Sequence, residues 1–261
     1  MIRIESIHNP QIQSLRKLSK AKARRESGTF LVEGPRMVEE ALALHLPRML
    51  LVSRTGLFAD LVHAAEADGL QVIEVSGSVM DALSESKTPQ GVMALCPMKE
   101  ETRGPAGPLI LALDGVQNPG NVGTMIRTAE AAGITCVLLG VGCADLYSAK
   151  TLAATMGSVF RLDILQVPDL KETLRMLSKD GYNILSGVLD GMDFYEACPP
   201  GKSVLVIGNE GNGISEEIKD VSTHCLTLPM WGRAESLNAS VAAGIMIYEL
   251  ARRNHLAEGS N

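Results

Sequence analysis

Residues 203–215 read SVLVIGNEGNGIS and residues 223–250 read THCLTLPMWGRAESLNASVAAGIMIYEL, and these two stretches decide the fold. Each is an apolar run that stops abruptly at a polar, glycine-bearing loop, the pattern of a buried strand delivering a loop to a site. Residues 204–207 make a short apolar run, β-branched at Val204, Val206 and Ile207, as in a strand covered on both faces. Gly208 ends that run where a larger residue would obstruct close backbone approach. Asn209 and Glu210 are thereby held at the strand's carboxyl end, where ligands bind in open α/β sheets. In the second stretch Pro229 closes an apolar run and Gly232 permits a tight turn. Ser236 or Asn238 then caps a helix running through Leu250. The first turns of that helix are small (Ala239, Ser240, Ala242, Ala243, Gly244), a face against which another backbone packs closely.

The whole chain bounds what those loops serve. At 261 residues, 46% hydrophobic and 21% charged, it is globular and long enough for one large or two modest domains. A net charge of -6 argues against a wholly basic nucleic-acid coat. With only 3% aromatic residues, base stacking on aromatic platforms is not the expected way to hold nucleic acid. The five cysteines (Cys96, Cys136, Cys143, Cys198, Cys225) form no CxxC pair and show no metal-ligand spacing with the five histidines. Reduced thiols, no disulfide framework and no metal are expected. Residues 1–10 are polar and no apolar run approaches about 20 residues, so neither a signal peptide nor a membrane span is expected and a cytoplasmic location is the default.

In chain order, residues 14–25 (SLRKLSKAKARR) carry six bases and no acid: Arg16, Lys17, Lys20, Lys22, Arg24 and Arg25. In a chain of negative total charge this is a polyanion footprint, pointing to RNA or DNA. Strands are predicted at 29–33, 48–53, 70–75 and 91–96, with helices at 35–44, 57–68 and 78–86 between them. Residues 1–98 thus form a small α/β unit. The segment 97–108, PMKEETRGPAGP, has no apolar periodicity and reads as a linker, with the boundary set at 99–108. Residues 109–261 form the second domain. Its first strand, 109–114, runs into DGVQNPGNVGTMIRTAEAAG, a loop rich in Gly and Asn followed by a helix at 125–132. An arginine at a helix start beside such a loop, here Arg127, suits a phosphate or carboxylate, to which its fork donates two bonds. Strands at 135–140, 161–167 and 182–188 alternate with helices at 148–157 and 170–180, which predicts a mainly parallel sheet with helices on both faces.

Several enzyme classes lose their signatures. No G-x-G-x-x-G follows a strand, and GNEGNG (208–213) has the wrong glycine spacing for a dinucleotide fold. GKS at 201–203 lacks the upstream glycine of a P-loop, since residue 196 is Glu. No G-x-S-x-G elbow is present.

Taken together, NPGNVGTMIRT (118–128), VLVIGNEGNGIS (204–215) and LPMWGRAESLNASVA (228–242) resemble the three motifs of the SpoU branch of the SPOUT RNA methyltransferases. IHNPQIQSLRKL (7–18), FLVEGPRMVEEAL (30–42) and TPQGVMAL (88–95) resemble the ribosomal-protein-like substrate-binding domain preceding many members. The resemblance implies a carboxyl-terminal trefoil knot, bound S-adenosylmethionine, a homodimer, and methyl transfer to a ribose 2'-hydroxyl of RNA. Gly208, Leu228 and Leu237 match cofactor-contacting positions, with Ile207 and Met230 as apolar neighbours. Asn121, Arg127, Glu210, Ser236 and Asn238 match catalytic and substrate-placing positions, whereas Asn209 and Trp231 sit at variable positions. The resemblance implies Arg127 as the proton acceptor; because a guanidinium is normally never neutral, its chemistry suits instead a group gripping the adjacent phosphate and developing alkoxide charge, with Ser236 and Asn238 orienting the ribose. Glu210 either fixes Arg127 or takes part in proton removal. Ribosomal RNA is favoured as substrate because minimal tRNA-modifying members often lack the amino-terminal domain. A tRNA methyltransferase or a non-catalytic RNA-binding assembly factor on the same fold is the alternative. A base methyltransferase is disfavoured by the first and third motifs, and a C5-methylating enzyme by the absence of cysteine from these loops.

Overall fold

The structure is a computed structural model describing residues 2–99 and 104–258, the last three as backbone only. The described residues form two compact units: residues 2–99 with 147–160, and residues 104–146 with 161–258. Of the expected linker, residues 100–103 lie outside the described residues.

The first unit contains β1 (Ile2–Ile4), α1 (Pro10–Arg16), α2 (Ala21–Ser27), β2 (Thr29–Glu33), α3 (Pro35–Ala43), β3 (Met49–Val52), α4 (Ala59–Ala67), β4 (Gln71–Val75), α5 (Gly77–Leu83) and β5 (Val92–Pro97). Its sheet runs β1-β4-β3-β5-β2, with β1, β4 and β3 parallel and β5 antiparallel to both neighbours. The strand β1 was not foreseen. Three residues, two of them exposed, carry no readable period, and only pairing with Ile73–Val75 makes them a strand. Helix α7 (Ala149–Thr155) groups with this unit although its sequence lies inside the second domain. Tyr147 explains how: its ring lies 4.5 Å from that of Phe30, and its hydroxyl accepts from the Lys99 N–H. Beyond the helix Gly157, at φ +95°, passes so close to Glu40 that a Cβ there would touch its side chain.

The second unit holds β6 (Leu109–Asp114), α6 (Pro119–Ala131), β7 (Cys136–Leu139), β8 (Asp163–Gln166), α8 (Leu170–Lys179), β9 (Asn183–Asp193), α9 (Phe194–Ala197), β10 (Ser203–Gly208), α10 (Glu216–Lys219), β11 (His224–Thr227) and α11 (Ala239–Glu258). Its six strands are all parallel, in the order β11-β9-β10-β6-β7-β8. The five residues Leu109–Leu113 and all of β10 are buried, as strands covered on both faces must be. Ile110, Ala112, Val204 and Val206 pack with Leu170, Leu174 and Leu177 of α8 in one core.

Two features of this unit shape the site. Helix α6 begins at Pro119, not at 125 as the glycines suggested. Asn118 caps it by accepting from the Gly120 and Asn121 N–H groups, and Pro119 takes the first turn, where a missing N–H costs nothing. The pairing of β11 with β9 also jumps: Cys225 matches Ser186, but Leu226 matches Met192. The five residues 187–191 of β9 are thereby left to bulge out. Gly191 allows this, because a Cβ there would sit 2.6 Å from the Cys225 carbonyl oxygen.

Candidate active site

Strand order places the site. β6 and β10 are neighbours, yet β6 leads on to β7 at one side while β10 leads to β11 on the far side of β9. Loops leaving their carboxyl ends therefore diverge and open a crevice, the usual ligand position in such sheets. Three loops meet there: 115–118 after β6, 209–215 after β10, and 228–238 after β11.

One chain of hydrogen bonds ties them together. Oε1 of Glu210 accepts from the Asn118 N–H at 3.1 Å and from Nδ2 of Asn121 at 2.9 Å, and Oε2 accepts from the Gln117 N–H at 3.1 Å. Oδ1 of Asn121 in turn accepts from Nδ2 of Asn238 at 3.3 Å. Asn238 is the cap of α11: its Oδ1 accepts from the Ser240 N–H at 2.9 Å and the Ser240 hydroxyl at 2.7 Å. Of the two candidate caps the structure thus uses Asn238. Burial alone would raise the Glu210 carboxyl, but donors from Asn121 and from the backbone of Glu210, Gln117 and Asn118 outweigh it and hold it below its ordinary value. A carboxylate so saturated with donors is a poor proton acceptor and a good clamp. Its partners are Gln117, Asn118 and Asn121, and Arg127 is not among them.

Beside this network lies a cavity of about 700 Å³, within the usual size range of small-molecule sites. Ile207, Gly208, Leu228, Met230 and Leu237 all line it, together with Ser236 and residues 187–190 of the β9 bulge. Gly208 is indispensable to its floor. An added Cβ would collide with the backbone of Gly213 and Ile214, so the close approach expected at this glycine is made by the chain's own turn. That turn closes through paired bonds between Asn209 and Gly213, 2.9 Å each way.

Asn209, at a variable position by the resemblance, is structurally central. Its Nδ2 donates to the Gly115 carbonyl at 2.8 Å, and its Oδ1 accepts from the Gly211 and Asn212 N–H groups at 2.9 and 3.0 Å. It stitches the β10 loop to the β6 loop and thereby aims the adjacent Glu210. An Asn two residues ahead of a Gly-x-Gly turn was the available signal, since its amide bonds readily to the backbone two residues on.

Arg127 lies more than two turns into α6, not at its start, because the helix begins earlier than expected. It is exposed and has no hydrogen bond or ion pair among the described residues. Ser236 is likewise exposed on the cavity wall. Of the six bases at 16–25, Arg16, Lys17, Lys20, Lys22 and Arg25 are exposed. Arg24 is not: it is 4% exposed and donates from Nη1 to the Leu18 carbonyl at 2.6 Å, tying α2 to the preceding turn. Its charge serves the fold of the first unit, which corrects its place in the polyanion footprint. Among the described residues no group of three or more His, Cys, Asp or Glu could hold a metal ion.

Comparison with known proteins gives the family. The SpoU rRNA Methylase family matches residues 108–248, and the MRM3-like substrate binding domain matches residues 9–94. The 23S rRNA (guanosine(2553)-2'-O)-methyltransferase RlmP of Bacillus subtilis (strain 168) is 37% identical over 253 residues, covering 96% of this chain and 99% of its own length. An AdoMet-bound rRNA methyltransferase from Sinorhizobium meliloti superposes with a TM-score of 0.84 at 32% identity, over 97% of both chains. The SpoU methyltransferase AviRb from Streptomyces viridochromogenes, in complex with the cofactor AdoMet, gives a TM-score of 0.86 at 26% identity, over 95% of this chain and 99% of its own. With its three loops joined through Glu210, Asn121 and Asn238 beside that cavity, the chain belongs to the SpoU rRNA methylase family.

Proposed function

We propose that this protein is an S-adenosylmethionine-dependent methyltransferase acting on a ribose 2'-hydroxyl, with ribosomal RNA as the substrate class. The observation that carries the reading is the hydrogen-bonded chain Glu210–Asn121–Asn238, which locks three loops around one cavity. The cavity fits the cofactor's chemistry: Ile207, Leu228, Met230 and Leu237 offer an apolar wall for an adenine ring, and Gly208 lets the 209–213 turn pack against the end of β10 to form the floor. Bound there, S-adenosylmethionine supplies an electrophilic methyl group on a sulfonium.

The protein's part is then placement and charge. Glu210 and Asn121 act as positioning residues, because their side chains are spent on holding the loops. Asn238 caps α11 and orients Asn121, which leaves little of its amide for a ribose. Ser236 has an exposed hydroxyl at the wall and is suited to orient the incoming sugar. Arg127, charged and unpaired, grips the phosphate beside that sugar and stabilises negative charge developing on the 2'-oxygen.

The same reading takes the chain to be knotted and dimeric. Gly191, where β9 bulges beside β11, and the small first turns of α11 suit a threaded backbone. Val241, Ile245 and Tyr248 are exposed at i, i+4 and i+7 on α11, a stripe that a second copy would cover. No helix among the described residues is long and apolar enough to cross a membrane, and we place the work in the cytoplasm.

The test is transfer of labelled methyl groups from S-adenosylmethionine to ribosomal and transfer RNA fractions from cells lacking the protein, comparing wild type with Arg127→Ala. Label in ribosomal RNA, in an alkali-resistant linkage and lost in the variant, supports the reading. Label confined to transfer RNA moves the substrate class. Absence of label together with absence of cofactor binding by calorimetry overturns the enzyme in favour of a binding factor.

A further inference from the structure

Trp231 is the only tryptophan in the chain, and it is 88% exposed. Tryptophan is among the most buried residues on average, so a ring left this open needs a reason. Its place in the fold supplies one. Trp231 stands in the 228–238 loop, between Met230, which lines the cavity, and Gly232, around which an added Cβ would meet nothing within 4 Å. Met230, Glu235, Ser236 and Leu237 of the same loop line the cavity, and Trp231 lies outside that lining. Two residues on, Arg233 is exposed, with neither hydrogen bond nor ion pair among the described residues. The loop thus presents an unoccupied aromatic plane and an unpaired guanidinium next to the cavity, with the exposed carboxylate of Glu235 further along.

We propose that Trp231 stacks on a nucleobase flanking the ribose to be methylated, while Arg233 takes the adjoining phosphate. This rests on the functional reading above. A ribose reaches into a cavity of this depth from an unpaired or opened strand, whose neighbouring bases have lost their stacking partners. RNA is read in that state by aromatic faces and guanidinium planes. The low aromatic content of the chain argues against an extended stacking platform, but a single ring at the entrance requires none. A second copy of the chain is the less suitable occupant. The apolar stripe open to it runs along α11, whereas Trp231 stands on the loop whose neighbours line the cavity that the ribose must reach.

The sole tryptophan is its own reporter. Its emission is recorded during titration with the ribosomal RNA fraction from cells lacking the protein, with a 12-nucleotide oligoadenylate, and with S-adenosylmethionine alone. Saturable quenching by both RNAs, and none by the cofactor, is expected. In methyl-transfer assays Trp231→Ala raises KM for RNA about tenfold while kcat at saturating RNA and cofactor affinity stay within about twofold, and Trp231→Phe recovers most of the loss. Unchanged KM in Trp231→Ala, with wild type active and its emission unquenched, refutes the proposal and leaves the enzyme reading intact. Emission that shifts on protein dilution and ignores RNA assigns the ring to an interface between copies and refutes it as well. If wild type methylates no RNA, the functional reading fails on its own, and the titration still decides whether the ring meets bases.

Discussion

Replacing Gly208 by alanine adds one methyl group, and the structure leaves no place for it. The new Cβ would overlap the Gly213 carbonyl group and the Ile214 nitrogen, which are backbone atoms and cannot swing aside as a side-chain tip would. Either β10 or the 209–213 turn must move. Forcing a methyl group into packed surroundings costs about 1–3 kcal/mol. Opening the turn breaks the two Asn209–Gly213 backbone bonds, each worth about 1 kcal/mol. The sum is about 3–5 kcal/mol, or a fall in melting temperature of roughly 6–20 °C for a chain of this size. The shift also carries Glu210 away from Gln117 and Asn118, so methyl transfer and cofactor affinity fall together. Urea denaturation followed by far-ultraviolet circular dichroism measures the first effect, and calorimetric titration with S-adenosylmethionine the second. Gly211→Ala is the control, two residues beyond the turn's first bond. Its Cβ would meet only Oδ1 of Asn209, at an ordinary 3.5 Å, and it should lose less than about 1 kcal/mol. A Gly208→Ala protein within about 1 kcal/mol of wild type, with undiminished cofactor binding, refutes the reasoning.

Arg127→Ala removes an exposed side chain without partners, so the melting temperature stays within the change expected for about 0.5 kcal/mol while methyl transfer falls at least about a hundredfold; a loss of stability in step with activity contradicts the assigned role. The Glu249 carboxyl is held down at about 2, chiefly by the Arg252 guanidinium, with burial opposing and Arg253 assisting. Its folded value lies below the unfolded one, so the contribution is fully present above about pH 4.5 and is lost as the pH falls toward 2. The difference in urea midpoint between wild type and Glu249→Gln should therefore correspond to about 1 kcal/mol at pH 7 and vanish near pH 2. In the first unit, Lys17→Glu with Arg25→Glu leaves stability unchanged and lowers the slope of log affinity for RNA against log salt by about 0.7–0.9 per lost phosphate contact. Arg24→Ala does the reverse, costing about 2 kcal/mol of stability with the salt slope unaltered, as denaturation and filter binding at several salt concentrations would show.

The sequence by itself determined whatever depends on local pattern. Apolar runs at 109–114 and 203–208 could only be strands buried on both faces, and strands alternating with helices could only build a parallel sheet, so the class of the second unit was legible. The three loop motifs were legible too, because their glycines and amides are written contiguously. What needed the tertiary structure was every relation between segments far apart in the chain. Ile2–Ile4 is a strand only because β4 is there to pair with it, and the helix containing Lys150 belongs with the first unit only because Tyr147 packs on Phe30. The same holds within the site. Glu210 is bound to Asn121, 89 residues earlier, and Asn121 to Asn238, 117 residues later. Arg24 looked like its basic neighbours, and only burial set it apart. Composition and period report what one segment does alone or against a generic core. They are silent on which donor meets which acceptor, because that depends on strand order, and strand order is settled by the packing of the whole sheet.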